Sequence, residues 1–299
     1  MTSGAQQALD ICARLLLGPG DAVVVEDPGY EAARAAFVAS GATVIPIPVD
    51  HEGLDPDRLP RRARRVRLIY VTPSHQFPTG AVLSEPRRHA LLEWARSHGA
   101  YLLEDDYDGE LRYTGRPLKA LTGLARGSSV IYCGTFAKAL FPSVRLGYLA
   151  LPDSITTAAI GAKWVSDRGS STLIQRLVRE FMVAGDYDRH IRRMHRRYAA
   201  RRAAIAKALV DHLGDEVRIA GDAGGLHLVA WLPRLSAADV DALIDACEKR
   251  DVGVYSIARH AIAPLRCGGL VLGYGLVEEG VIETGVRRLA AAYRQLVRQ

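Results

Sequence analysis

The chain has 299 residues, 48% of them hydrophobic, and a net charge of +6 at pH 7, a composition typical of a globular protein large enough for two sub-domains. No apolar run approaches the roughly 20 residues that span a bilayer, and no basic segment followed by an apolar stretch marks a leader peptide. We therefore expect no membrane contact. The cysteines are too scattered for a zinc pattern or a disulfide framework, so we expect a cytoplasmic protein without a metal site. The cysteines are Cys12, Cys133, Cys247 and Cys267.

The first residues have the features of a helix start. Residues 5–16 carry apolar side chains at helical spacing and end at Gly18-Pro19-Gly20. Thr2, Ser3 and Gly4 therefore lie where free backbone N–H groups and small hydroxyl side chains can hold an anion, although simple capping explains the same residues. No strand precedes this helix, and we expect the domain to lack its N-terminal part.

Strands and helices alternate from residue 22 to residue 150. Short apolar runs rich in branched residues predict the strands, and amphipathic spacing predicts helices over 30–40 and 85–98. This alternation predicts an α/β domain whose sheet is mostly parallel, with helices on both faces. The predicted strands are 22–25, 44–47, 67–71, 100–103, 130–133 and 146–150.

Polar side chains follow several of these strands, where open α/β sheets bind their ligands. Each has an ordinary explanation alone, since a lone histidine is more often structural and a loop lysine is often only exposed. Their meeting at one edge favours a binding site. These residues are Tyr30, His75, Asp105, Tyr107 and Lys138.

Lys138 and Asp105 are the two residues that indicate which chemistry the predicted site performs. The chain has five lysines among 39 lysines and arginines, so Lys138 is a candidate for what arginine cannot do, namely attack a carbonyl carbon as a neutral amine. Three acids from Glu104 to Asp106 are costly to desolvate unless a cation, such as a protonated ring nitrogen, binds them. Arg145 is suited to bind a phosphate.

Long helices follow over 154–166, 171–184 and 186–212, and a small α/β region of strands and two helices completes the chain. We therefore divide the chain into a large domain over 1–185 and a small domain with its linking helix over 186–299. The helix 186–212 is rich in arginine, but its apolar spacing is that of an ordinary amphipathic helix without a recognition motif. We expect no nucleic-acid contact from it.

Four stretches resemble the class I/II aminotransferases, which are pyridoxal-phosphate enzymes of fold type I, and most closely the aminotransferase-like domain of MocR/GntR-type transcriptional regulators. The resemblance runs essentially the full length and implies pyridoxal 5'-phosphate as cofactor and a homodimer. The stretches are Glu26-Asp27-Pro28-Gly29-Tyr30, residues 73–80, residues 104–108 and residues 134–148.

The resemblance also implies roles for single residues. Lys138 would form the internal aldimine, Asp105 would pair with the pyridine nitrogen, and Tyr107 would donate to the phenolic oxygen of the ring. Tyr30 would stack on the ring, and His75 or Gln76 would lie near the ring oxygen. The phosphate would be held by Gly4, Ala5, Thr135 and Arg145.

Two positions depart from the family pattern. Ala137 stands where many relatives carry a serine that contacts the phosphate, and Val271 stands where aminotransferases carry the arginine that binds the substrate carboxylate. Arg259 or Arg266 could substitute, and of these we select Arg259.

The resemblance leaves two functions open. The first is transamination of an amino acid or amine with a 2-oxo acid. The second is an effector-sensing domain of a regulator that lacks its winged helix-turn-helix and turns over slowly or not at all. A truncated product that does not fold stably is a third alternative.

Overall fold

A computed structural model describes residues 1–61, 65–113, 118–125, 129–221 and 223–298. Within them, seven strands form one sheet, in the spatial order β3-β2-β1-β4-β5-β6-β7. Strands β1, β2, β4, β5 and β6 run parallel, whereas β3 and β7 are antiparallel to their neighbours. The strands are β1 (Ala22–Asp27), β2 (Thr43–Asp50), β3 (Gly53–Leu54), β4 (Val66–Val71), β5 (Tyr101–Asp106), β6 (Val130–Thr135) and β7 (Gly147–Ala150).

Helices cover both faces of this sheet because successive residues of a strand point to opposite sides. Val23 packs with Leu9 and Phe37 of α1 and α2, whereas Val24 packs with Leu91 of α3 on the other face. The helices of this half are α1 (Ala5–Leu16), α2 (Glu31–Ala39), α3 (Glu85–His98), α4 (Leu121–Leu124), α5 (Asp153–Asp167) and α6 (Thr172–Val183).

A second sheet, of four antiparallel strands, lies in the C-terminal part, in the order β10-β11-β9-β8. Leu228 and Leu272 point from it into a core shared with the surrounding helices. The strands are β8 (Arg218–Ala220), β9 (His227–Leu232), β10 (Tyr255–Ser256) and β11 (Gly268–Gly273), and the helices are α7 (Asp186–Leu213), α8 (Ala237–Glu248) and α9 (Glu279–Val297).

The predicted fold class, a mostly parallel α/β sheet with a smaller C-terminal α/β part, is confirmed. The sequence also predicts a strand over 252–256, but the observed strand is shorter, because only Tyr255–Ser256 pair with β11. Three short elements, β3, α4 and β8, were not predicted. The sequence predicts a solvated connection or short helix over 56–65, and residues 62–64 of that segment lie outside the described part. The division at residue 185 stays a prediction.

None of the described helices combines the length and the apolar character that a membrane crossing requires.

Candidate active site

The order of the strands brings the predicted polar residues to one edge of the large sheet. β1, β4, β5 and β6 are neighbours and parallel, so their carboxyl ends meet. A cavity of about 320 Å³ opens there. Eight predicted site residues line it: Gly4, Ala5, Tyr30, Asp105, Tyr107, Thr135, Lys138 and Arg145.

Asp105 lies at the end of β5, with only 4% of its surface exposed. Its Oδ2 accepts a hydrogen bond of 2.8 Å from the Tyr70 hydroxyl, whereas its Oδ1 is buried and has no partner among the described residues. Burial raises the pKa of Asp105 to about 7, even though the bond from Tyr70 lowers it. A cationic N–H donor in the cavity would satisfy Oδ1 and restore the carboxylate.

The Tyr107 hydroxyl contacts a buried pair of ionisable groups, His75 and Asp108, through the His75 ring. His75 Nδ1 lies 2.8 Å from Asp108 Oδ2 and 3.0 Å from the Tyr107 hydroxyl oxygen. Since a carboxylate only accepts, Nδ1 carries the proton, and the Tyr107 hydroxyl keeps its own proton for a partner in the cavity. Burial lowers the pKa of His75, but the Asp108 carboxylate raises it more, and the net shift is upward.

This pair yields the first testable prediction. A His75→Leu substitution leaves the Asp108 carboxylate buried without its partner, and we expect the free energy of unfolding to fall by about 3 kcal/mol. Because the pKa of His75 is raised above 6.5 in the folded chain, the wild-type stabilisation is complete below pH 6.5 and declines as the pH rises through the folded-state pKa. Urea unfolding across this pH range measures both effects.

The matched control is His98→Leu, because His98 lies exposed at the end of α3. A stability loss of the same size in both variants would show that the buried pair contributes nothing of its own.

The opposite end of the cavity is suited to an anion. Gly4 precedes α1 with φ of 88°, a conformation that favours glycine, and a Cβ there would lie 3.3 Å from Arg145 Nη1. Arg145 Nη2 donates to the Ser3 carbonyl oxygen at 2.9 Å. A guanidinium and the free N–H groups of a helix start thus share one corner, where both attract negative charge.

Three residues named from the sequence lie elsewhere. His75 contacts the Tyr107 hydroxyl through Nδ1 but does not line the cavity. The Gln76 amide is engaged by two loops, since Nε2 donates to the Pro28 carbonyl oxygen in the loop after β1 and Oε1 accepts from Thr79 in its own loop. Arg259 is exposed in a 3₁₀ turn, Ile257–His260, outside the wall.

The residues of the wall that the sequence reasoning missed include Tyr70, Phe77 and His227. Tyr70 could have been found, because it lies on β4 next to β5 and shares a face with Leu68. His227 carries no such signal, since β9 belongs to the other sheet. His227 Nε2 donates to the Pro78 carbonyl oxygen at 3.0 Å, and burial, assisted by the neighbouring His75, lowers its pKa to about 3.

Comparison with known proteins identifies relatives of two kinds. The probable rhizopine catabolism regulatory protein MocR of Rhizobium meliloti is 35% identical over 298 residues, which cover 99% of this chain and 59% of that protein. The aromatic-amino-acid aminotransferase 1 of Thermococcus litoralis is 33% identical over 303 residues, covering 98% of this chain and 72% of the enzyme. The chain spans about three fifths of the length of the curated regulators it matches.

Solved structures that resemble this chain include aminotransferases as well. Pyrococcus horikoshii kynurenine aminotransferase, determined in complex with PMP, matches with a TM-score of 0.91 and 31% identity over 98% of this chain and 74% of its own. The predicted resemblance is confirmed, and so is pyridoxal phosphate as the cofactor at the level of the family. The family model for aminotransferase class I and II matches residues 1–260. The chain therefore belongs to the class I and II aminotransferase family.

Proposed function

We propose that the chain binds pyridoxal phosphate in this cavity through Lys138 and transfers an amino group between an amino donor and a carbonyl acceptor. The observation that carries the proposal is the unsatisfied Asp105 Oδ1, which is buried beside the cavity that Lys138 lines. A hydrogen-bond donor at a ring nitrogen fits this oxygen, and a phosphate fits the corner of Arg145 and α1.

Different residues of the cavity would bind different parts of the cofactor. Asp105 is placed to accept from the ring nitrogen and keep it protonated, and Tyr107 has a hydroxyl proton to donate into the cavity. Gly4, Ala5, Thr135 and Arg145 would hold the phosphate, and Tyr30 would lie beside the ring. When bound, the cofactor supplies an electron sink for negative charge at the substrate carbon.

Lys138 has two tasks in this proposal. With the cofactor bound, its Nζ would be the point of covalent attachment, and as a free amine it would be the base that takes up and returns the proton of the substrate carbon.

A second candidate function is effector sensing at the same cavity, without sustained turnover. The observation that favours it is the near-complete coverage of this chain by a regulator at 35% identity. In that case the same residues bind the cofactor and an amine, and the bound state is the signal.

A homodimer is part of the proposal. Helices α5 and α6 expose large apolar side chains, with Trp164 61% and Leu173 65% exposed, and such surfaces commonly mark interfaces. Sedimentation velocity is expected to give twice the mass of one chain. The cytoplasmic location stays a prediction from the sequence.

The experiment that separates the two functions is a product assay. Cofactor-loaded protein is mixed with an excess of amino donors and carbonyl acceptors, and new carbonyl product is measured by mass spectrometry. Product exceeding the amount of protein many times over supports the transferase. A change in the absorption spectrum with no more than one equivalent of product supports the sensor, and a protein that takes up no cofactor contradicts both.

A further inference from the structure

The wall of the cavity holds few cations. Among the residues that the structure describes, Lys138 and Arg145 are the lysine and arginine that line it. On the proposed function, on which this inference rests, Lys138 is engaged with the cofactor and Arg145 with the phosphate. Within the described wall, no further guanidinium or ammonium group remains for a substrate carboxylate.

Apart from Asp105 and Asp108, the rest of the wall is apolar or uncharged. Phe77 packs edge-on against Tyr30 with ring centroids 5.6 Å apart, and Leu226 lies next to His227. His227 is buried, and its Nε2 is engaged by the Pro78 carbonyl oxygen. Its pKa of about 3, lowered by burial and then by His75, means that it is uncharged near neutral pH. It therefore offers no counter-charge to an anion.

Val271 is absent from the wall but lies on the same face of the small sheet as His227. In the small sheet, Leu228 and Leu272 point into the core, so the alternate residues His227 and Val271 share the opposite face. Val271 is half-buried there and paired with Val229. Arg259 and Arg266 are both exposed and absent from the wall.

We propose that this site takes primary amines that lack an α-carboxylate, in preference to α-amino acids. A carboxylate that entered the cavity would lose its hydration beside the carboxylates of Asp105 and Asp108 and would gain no cation in exchange. The same condition applies to the carbonyl acceptor, which we expect to be an aldehyde or ketone without a neighbouring carboxylate.

Reduced cofactor conjugates test this preference without any chemical step. N-(5'-phosphopyridoxyl)-L-leucine and N-(5'-phosphopyridoxyl)-isoamylamine differ only in the α-carboxylate, and calorimetry on the full cofactor-free chain gives their dissociation constants. We expect the isoamylamine conjugate to bind at least about tenfold more tightly. Equal affinity, or tighter binding of the leucine conjugate, would overturn the proposal, because a cation must then reach the carboxylate.

A charge introduced at Val271 supplies the complementary test. V271R places a guanidinium on the face shared with His227, and V271Q is the control of similar shape without charge. We expect V271R to bind the leucine conjugate about tenfold more tightly than V271Q does, with little change for the isoamylamine conjugate. If V271R and V271Q bound the leucine conjugate equally tightly, the proposal would also be overturned. If V271R does not fold, the comparison of the two conjugates on the wild-type chain decides alone.

Pyridoxal phosphate itself, titrated in the same way, separates the two levels of inference. If neither the cofactor nor the conjugates bind, the proposed function fails. If the cofactor binds and the leucine conjugate is not disfavoured, only the preference for amines fails.

Discussion

Replacing Lys138 with alanine is expected to lower amino-group transfer by at least about 10³-fold, because the variant loses both the amine that holds the cofactor and the base that moves the proton. The fold should remain intact, since Lys138 is exposed and lines an open cavity. The measurement is initial rates at saturating cofactor, together with the absorption band at about 410–430 nm that attachment to a lysine gives.

The control for this variant is Lys207→Ala, which removes an exposed lysine paired with Asp211 on α7. We expect that variant to keep both rate and absorption band. If Lys138→Ala kept the band, another lysine would have to carry the cofactor and the assignment of the site would be wrong.

Asp105→Asn is expected to stabilise the cofactor-free protein while it impairs function. Asp105 has a folded-state pKa of about 7 against 3.8 for an ordinary aspartate, so the folded chain binds a proton that the unfolded chain releases. This makes the wild type lose stability as the pH rises from about 4 to 7. Asparagine carries no such penalty, and its side-chain oxygen still accepts from Tyr70.

We expect this variant to gain about 2–4 kcal/mol in free energy of unfolding at pH 8 and almost nothing below pH 3.8. Amino-group transfer should fall by about 10²-fold or more, since a neutral amide does not keep the ring nitrogen protonated. Urea unfolding at the two pH values and initial rates measure the two effects. The exposed Asp215→Asn serves as control, and a loss of stability at pH 8 in Asp105→Asn would contradict the account.

The sequence predicted those parts of the fold that local signals determine. Helix α1 was predicted with its observed bounds, Ala5–Leu16, because its apolar spacing and the Gly18-Pro19-Gly20 stop are both local. Strand β8 was missed because three residues, Arg218–Ala220, carry too little alternation to be recognised.

The residues of the site also differ in whether local sequence signals predict their positions. Tyr30, Asp105 and Lys138 lie at or just after the carboxyl ends of parallel strands of one sheet, so the alternation of strands and helices along the chain predicts their convergence. His227 comes from a strand of the second sheet, and only the packing of the two sheets brings it to the wall. His75 shows a further limit, since its position in the loop after β4 was predicted but its contact behind Tyr107 depends on side-chain geometry.

The most direct test of the central claim is to load the protein with pyridoxal phosphate, reduce it with borohydride and map the modified residue by mass spectrometry. The account predicts stoichiometric labelling of Lys138, with Lys119, Lys163, Lys207 and Lys249 unlabelled. No uptake of the cofactor, or label spread over several lysines, would contradict it and would leave the aminotransferase fold without a working cofactor site.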